Sequence, residues 1–240
     1  MKYSIFLFAL FLAGCKKEDM KDGSSVRLQF VKTAGKIVES FEYNAAGMLT
    51  KENRFWFCES TPTDEFTYIY NGAKPDTIKS LIRSLSSSST SLCDPAYGAY
   101  SYAVIDYDNQ NRIRKSTQSN GSITSFFYNS NGFIEKQTIT YPSGSNAVAI
   151  SYTRDAKGNL IEETDAQGST TRYEYDDKPN PYYSIKKFTD VITAFYNSPN
   201  NVVAIKSTTN TSIFRYEYNR AGLPVKMFEP NGATYEFMYQ

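Results

Sequence analysis

The 240-residue chain contains no histidine. That absence removes the commonest general base, the Ser-His-Asp and Cys-His arrangements of nucleophilic catalysis, and the usual zinc ligands. Three cysteines are too few for a disulfide-dense scaffold or a four-thiolate metal site. Charge of one sign is also missing: 26 Lys and Arg stand against 25 Asp and Glu. Such a balance excludes the basic footprint of a nucleic-acid-binding protein and a polybasic membrane patch. Beyond residue 14 no apolar run approaches the roughly 20 residues a membrane-spanning helix needs. Nothing in the composition calls for a cofactor or a bound metal.

What is present begins with Lys2 and an unbroken apolar run from Ile5 to Ala13. A short positive region followed by about ten apolar residues is the layout of a secretory signal peptide. The run closes on Leu12-Ala13-Gly14-Cys15, which resembles the lipobox of bacterial lipoproteins. Small residues there let a peptidase reach the backbone, and the Cys15 thiol is the acyl acceptor. The resemblance implies attachment to a membrane through lipid, with each buried acyl methylene adding about 0.8 kcal/mol. Behind Cys15 lie Lys16, Lys17, Glu18, Asp19, Lys21 and Asp22, then Gly23-Ser24-Ser25. A stretch so polar cannot bury enough surface to fold and reads as a tether. Its lysine-plus-acidic cluster is similar to the surface-export signals of Bacteroidetes lipoproteins, which implies display on the outer membrane at the cell surface. The expected organisation is a signal peptide over 1–14, a lipidated tether over 15–25 and one repetitive domain over 26–240.

Loss of residues 1–14 takes one lysine with it and leaves 25 basic against 25 acidic residues. Of the remaining cysteines, Cys58 and Cys93 most economically form one disulfide in an exported protein; two buried free thiols are the other reading.

The domain is dominated by internal repetition, the pattern aromatic-x-Tyr-Asn/Asp-x-x-Gly-x-apolar. It reads Phe41-Glu42-Tyr43-Asn44 with Gly47 and Leu49, and Phe126-Phe127-Tyr128-Asn129 with Gly132 and Ile134. It returns at Tyr216-Glu217-Tyr218-Asn219 with Gly222, and at Tyr107-Asp108 with Asn111 in the glycine place. Tyr152-Thr153-Arg154-Asp155 keeps Gly158 and Leu160 but carries arginine for the second aromatic. Tyr68-Ile69-Tyr70-Asn71 begins a degenerate copy with Lys74 in the glycine place, and Phe195-Tyr196-Asn197 has Asn200 there. Counted on the second aromatic place, the positions 107, 128, 154, 175, 196, 218 and 239 advance in steps of 21, 26, 21, 21, 22 and 21 residues. Second turn signals at Gly121, Gly168 and Gly232 fall about halfway between, so each repeat is one β-hairpin. Within strands the aromatics alternate with charge, as Phe214, Tyr216 and Tyr218 do against Ile213, Arg215 and Glu217.

On these residues the chain resembles the YD repeats of RHS proteins, and more narrowly the repeat-bearing lipoproteins of Bacteroidetes. The resemblance implies an all-β fold of antiparallel hairpins, about 21 residues each, in a curled meander sheet. It also sets expectations for the rims and edges. The two glycine sets line opposite rims, and a chain too short for a closed shell leaves one sheet edge open or covered by the irregular 71–104 segment. The repeated tyrosines are ladder residues that hold hairpins together. Trp56, outside the register beside Phe55 and Phe57, is the candidate binding residue, and Ser84 to Ser91 reads as a mobile loop. The function expected is a non-enzymatic surface module that binds a protein or glycan. The alternative is a glycan hydrolase built on two carboxylates in one aromatic-walled cleft. An outer-membrane barrel is disfavoured by the charged alternate positions and by the lipid anchor.

Overall fold

A computed structural model of the chain describes residues 26–83, 93–94, 98–143, 147–185 and 192–240. The signal peptide, Cys15 and its tether, and the Ser84–Ser91 loop all lie outside the described residues.

One antiparallel sheet accounts for nearly everything described. The first half of the chain supplies β1 (Leu28–Thr33), β2 (Lys36–Tyr43), β3 (Leu49–Arg54), β4 (Asp64–Asn71), β5 (Lys74–Ile82) and β6 (Ala99–Tyr107). It continues through β7 (Ile113–Gln118), β8 (Ile123–Tyr128), β9 (Ile134–Thr140) and β10 (Val148–Arg154). Then follow β11 (Leu160–Thr164), β12 (Thr170–Pro179), the short helices α1 (Pro181–Ser184) and α2 (Ala194–Asn197), and β13 (Asn200–Lys206). The chain ends with β14 (Thr211–Ile213), β15 (Arg215–Tyr218), β16 (Pro224–Phe228) and β17 (Thr234–Tyr239). Phe214 separates β14 from β15, which otherwise continue one line.

With β14 and β15 taken as one interrupted strand, each strand pairs with its predecessor and its successor, and β1 pairs with both β2 and β17. The meander therefore returns on itself as a barrel. The open edge expected from the chain length is absent among the described strands. Backbone groups on β17 that would have faced water bond instead to β1, with Val31 opposite Phe237 and Leu28 opposite Tyr239. Closure removes the unpaired donors and acceptors that make a free edge an aggregation template. The 71–104 segment is no cover; its described parts, β5 and β6, are ordinary members of the wall.

The repeat motif builds the turns along one rim. In the β2–β3 turn the Asn44 Oδ1 accepts from the N–H groups of Ala46 and Met48, each at 3.0 Å. The Gly47 N–H closes the turn on the Asn44 carbonyl at 2.8 Å, with φ of +77°. Asp108, Asn129, Asp155 and Asn219 make the same pair of side-chain bonds in their own turns. An Asn or Asp is required because its side chain caps its own backbone two residues on. Asn111 takes the glycine's role at φ +64°, as its short polar side chain allows.

The register tyrosine does a second job. Tyr128 donates its hydroxyl to the Ile113 carbonyl at 2.8 Å, Tyr70 to Leu49 at 2.7 Å and Tyr239 to Pro224 at 2.6 Å. Each acceptor lies just past a rim turn on the adjoining strand, so the tyrosine staples one repeat to the next.

The alternation of turns places Gly121, Gly168 and Gly232 on the rim opposite Gly47, Gly132, Gly158 and Gly222, as the spacing predicts, and Gly35 joins the former set. Two copies differ from expectation. In the degenerate copy the turn glycine is Gly72 at φ +65°, while Lys74 already opens β5. Tyr196 and Asn197 lie in α2 and Asn200 starts β13, with no positive φ at Asn200. The 180–199 connection is too long for a tight turn, and its described parts, 180–185 and 192–199, pack into the lumen.

Inside the barrel the core holds Leu28, Phe41, Ile105, Phe126, Leu160 and Phe237, with further apolar side chains packed round them. The outer face carries cross-strand ion pairs such as Arg172–Glu162 and Lys115–Asp106. Apolar side chains inward and charges outward are the reverse of a lipid-embedded barrel.

Candidate ligand cavity

The lumen is not filled evenly. Where the 180–199 connection enters, Asn180 organises a plug: its Oδ1 accepts from the Tyr182 N–H at 3.0 Å. Its Nδ2 donates to the carbonyls of Phe195 and Ser198 at 2.6 and 2.8 Å. Tyr182 then packs edge-on against Phe41, Tyr196 and Phe237, with ring centroids 6.4, 5.0 and 5.9 Å away.

The plug is held by buried carboxylates. Glu39 is 5% exposed and accepts from the hydroxyls of Tyr182 at 2.8 Å and Tyr196 at 3.3 Å. Glu52, wholly buried, accepts from Arg54 Nε at 2.8 Å and the Tyr68 hydroxyl at 3.3 Å. Burial acts to lower the Arg54 pKa, but the Glu52 and Glu39 charges more than offset it, so the guanidinium stays charged. Burial also pushes the Tyr68, Tyr182 and Tyr196 hydroxyls far up, keeping them donors. This is a satisfied polar network fastening plug to wall. It is also where two carboxylates approach aromatic walls, on the neighbouring strands β2 and β3. Neither Glu39 nor Glu52 lines the cavity described next.

Between the plug and the β2–β9 side of the wall lies a cavity of about 1020 Å³, opening at the Gly47 rim. Its apolar lining includes Leu49, Ile113, Phe126, Ile134, Ile185 and Ile192. Its mouth carries Arg27, Lys74 and Arg112, and among the described residues no carboxylate lines it. Each cation rests on a register tyrosine: Arg27 on Tyr43 at 5.7 Å, Lys74 on Tyr107 at 5.0 Å and Arg112 on Tyr128 at 4.3 Å. Arg112 is also paired with Asp108 at 2.8 Å. Lys74 Nζ donates to Asn111 Oδ1. The Arg27 guanidinium lies so close over Gly47 that a Cβ there would meet it at 2.0 Å. Burial, the largest influence, pushes the Tyr107 and Tyr128 hydroxyls up to about 12.

Sequence reasoning did not find this site. Arg27 precedes the first repeat, and nothing in the motif marks Lys74 as a mouth residue. The candidate it did name, Trp56, sits on the opposite rim in the β3–β4 connection, 47% exposed beside the more exposed Phe57. The Trp56 and Phe57 N–H groups bond to Thr63 Oγ1, and the Cys58–Cys93 disulfide ties this connection to the one between β5 and β6. Trp56 and the cavity are thus separate features. Among the described residues no group of His, Cys, Asp and Glu is placed to hold a metal ion.

The fold and cavity define a repeat-built antiparallel barrel with an internally plugged lumen. The family model described as RHS Repeat matches residues 154–178. Those residues run from the end of β10 through the Gly158 turn and the β11–β12 hairpin, one full structural repeat. No curated protein matches the chain. Among solved structures, the Photorhabdus luminescens Tc holotoxin pore is similar, at 15% identity and a TM-score of 0.36 over 81% of this chain. The TcdB2-TccC3 crystal structure is similar at 14% identity and a TM-score of 0.36 over 81% of this chain. This chain spans 9% of the length of either. A porin-like protein from Bacteroides uniformis is similar at 11% identity and a TM-score of 0.40, covering 90% of this chain and 96% of that one.

Proposed function

We propose that the protein is a non-enzymatic binding module, held on the outer membrane by lipid at Cys15 and displayed at the cell surface. The observation that carries the binding part is the cavity, an open space with a mixed apolar and cationic lining inside a wall without a free edge. A volume of about 1020 Å³ stands at the upper end of small-molecule sites, which span roughly 300–1,000 Å³. Two features support binding over turnover. Among the described residues no carboxylate lines the cavity, and Glu39 and Glu52, which lie near aromatics, are buried and engaged by tyrosines and Arg54.

A second binding reading rests on Trp56 and Phe57. Two large exposed aromatics on a connection braced by a disulfide would suit a protein or glycan partner on the far rim.

Display and binding are tested together. Cys15→Ala should abolish labelling by a palmitate analogue and release the protein from membranes; retained labelling refutes the anchor. A glycan array and pull-down with the soluble chain beginning near Ser24, run beside Trp56→Ala, tests the far rim. Hydrolysis of any glycan on that array would overturn the non-enzymatic reading.

A further inference from the structure

We infer that the cavity at the Gly47 rim binds an amphiphile with an anionic head, its chain in the apolar lumen and its head between Lys74 and Arg27. This rests on the binding-module reading above and names the ligand class for its cavity.

The lining separates by depth and chemistry. The rim turns contribute the cations, and the wall and plug contribute Leu49, Ile113, Phe126, Ile134, Ile185 and Ile192. An apolar chamber whose described cations stand at its mouth complements a molecule that is apolar at one end and negative at the other. Arg112 is already neutralised by Asp108. Lys74 and Arg27 have no ion-pair partner among the described residues, and Lys74 meets only the neutral Asn111 side chain. The nearest acidic group to Lys74 in sequence, Asp76, is exposed, accepts from the Thr77 hydroxyl and forms no ion pair with Lys74.

A saccharide fits the same cavity poorly. Stacking on a pyranose needs a bare ring face, and the lining rings of Tyr107 and Tyr128 each have a cation over one. Sugar hydroxyls need free polar partners, yet the hydroxyls of Tyr43, Tyr70, Tyr107 and Tyr128 are donated to backbone carbonyls. Carboxylates, common acceptors for sugar hydroxyls, do not line the space among the described residues.

The position of the mouth agrees. Val26 and Arg27 line it, so the tether leaves from the cavity's own rim. Eleven tether residues from Cys15 to Ser25 reach at most roughly 36–40 Å. On the anchored reading the mouth stays within that reach of the bilayer, where such amphiphiles are found.

The test uses the full chain with Cys15→Ser, so that no covalent lipid competes, and follows displacement of a fluorescent fatty acid. Oleate should displace it at least tenfold better than methyl oleate, and acetate and inorganic phosphate should not displace it. Lys74→Met and Arg27→Met should each weaken oleate several-fold, with unchanged Tm, and added salt should weaken it further. Equal displacement by oleate and its methyl ester would overturn the inference, as would displacement by acetate or phosphate alone. Oleate binding indifferent to both substitutions would place the amphiphile elsewhere and overturn it too. Failure of oleate with binding of a glycan or protein would refute the amphiphile and leave the binding-module reading standing.

Discussion

Leu28 and Tyr239 are strand partners across the seam where the first and last strands meet. The backbone bonds continue past them, from Arg27 N–H to the Gln240 carbonyl at 3.1 Å and from Gln240 N–H to the Arg27 carbonyl at 2.9 Å. Closure makes the chain ends part of the wall, so hydrogen exchange at residues 235–239 should be as slow as in β8 and β9. Rapid exchange there, typical of an unpaired edge, would show that the barrel is open. Leu28→Ala, at a position with no exposure, should cost about 2–5 kcal/mol by denaturant unfolding.

The register tyrosines make separable contributions. Tyr128→Phe loses only the 2.8 Å bond to Ile113 and should cost about 1 kcal/mol. Tyr128→Ala also removes the ring that Arg112 covers and should cost up to about 3–5 kcal/mol. A Phe variant as damaged as the Ala variant would mean that the hydroxyl, not the ring, is the main support.

Alkaline pH should expose the same device. Burial pushes Tyr107, Tyr128 and Tyr175 up to about 12, against about 10 in an unfolded chain. For an acid whose folded pKa is raised, the unfolded state loses its proton first. The contribution is therefore intact below about pH 10 and is lost as pH rises toward 12. Ultraviolet absorbance at 295 nm should show these tyrosinates appearing together with loss of sheet circular dichroism. Their titration near pH 10 in a still-folded protein would contradict the packing.

The Cys58–Cys93 bond links the β3–β4 and β5–β6 connections across a sequence separation of 35. Its removal by Cys58→Ser with Cys93→Ser should cost about 3–4 kcal/mol in the chain-entropy model. A non-reduced digest should yield the two peptides joined; free thiols at both positions would refute the bond.

Much of the architecture was legible because it is written locally. An Asx side chain bonds within four residues, and a glycine sets the turn it occupies. So Asn44-Ala45-Ala46-Gly47 and its copies mark a rim without knowledge of anything distant. Strand alternation likewise tells inside from outside, as Tyr216 and Tyr218 against Arg215 and Glu217 show. The copy at 196 misled for the same reason: Phe195-Tyr196-Asn197 has the local letters, but its fate was decided by Asn180 and by Glu39, the latter 157 residues from Tyr196.

Sequence by itself determined the strand count per repeat, the two rims and the tyrosine stripe, all set by contacts within about 20 residues. Tertiary structure alone decided whether the sheet closes, because closure depends on summed twist and on β1 meeting β17, more than 200 residues apart. It also decided the cavity. Arg27, Lys74 and Arg112 become neighbours of one space only when the wall curves and the plug leaves part of the lumen unfilled.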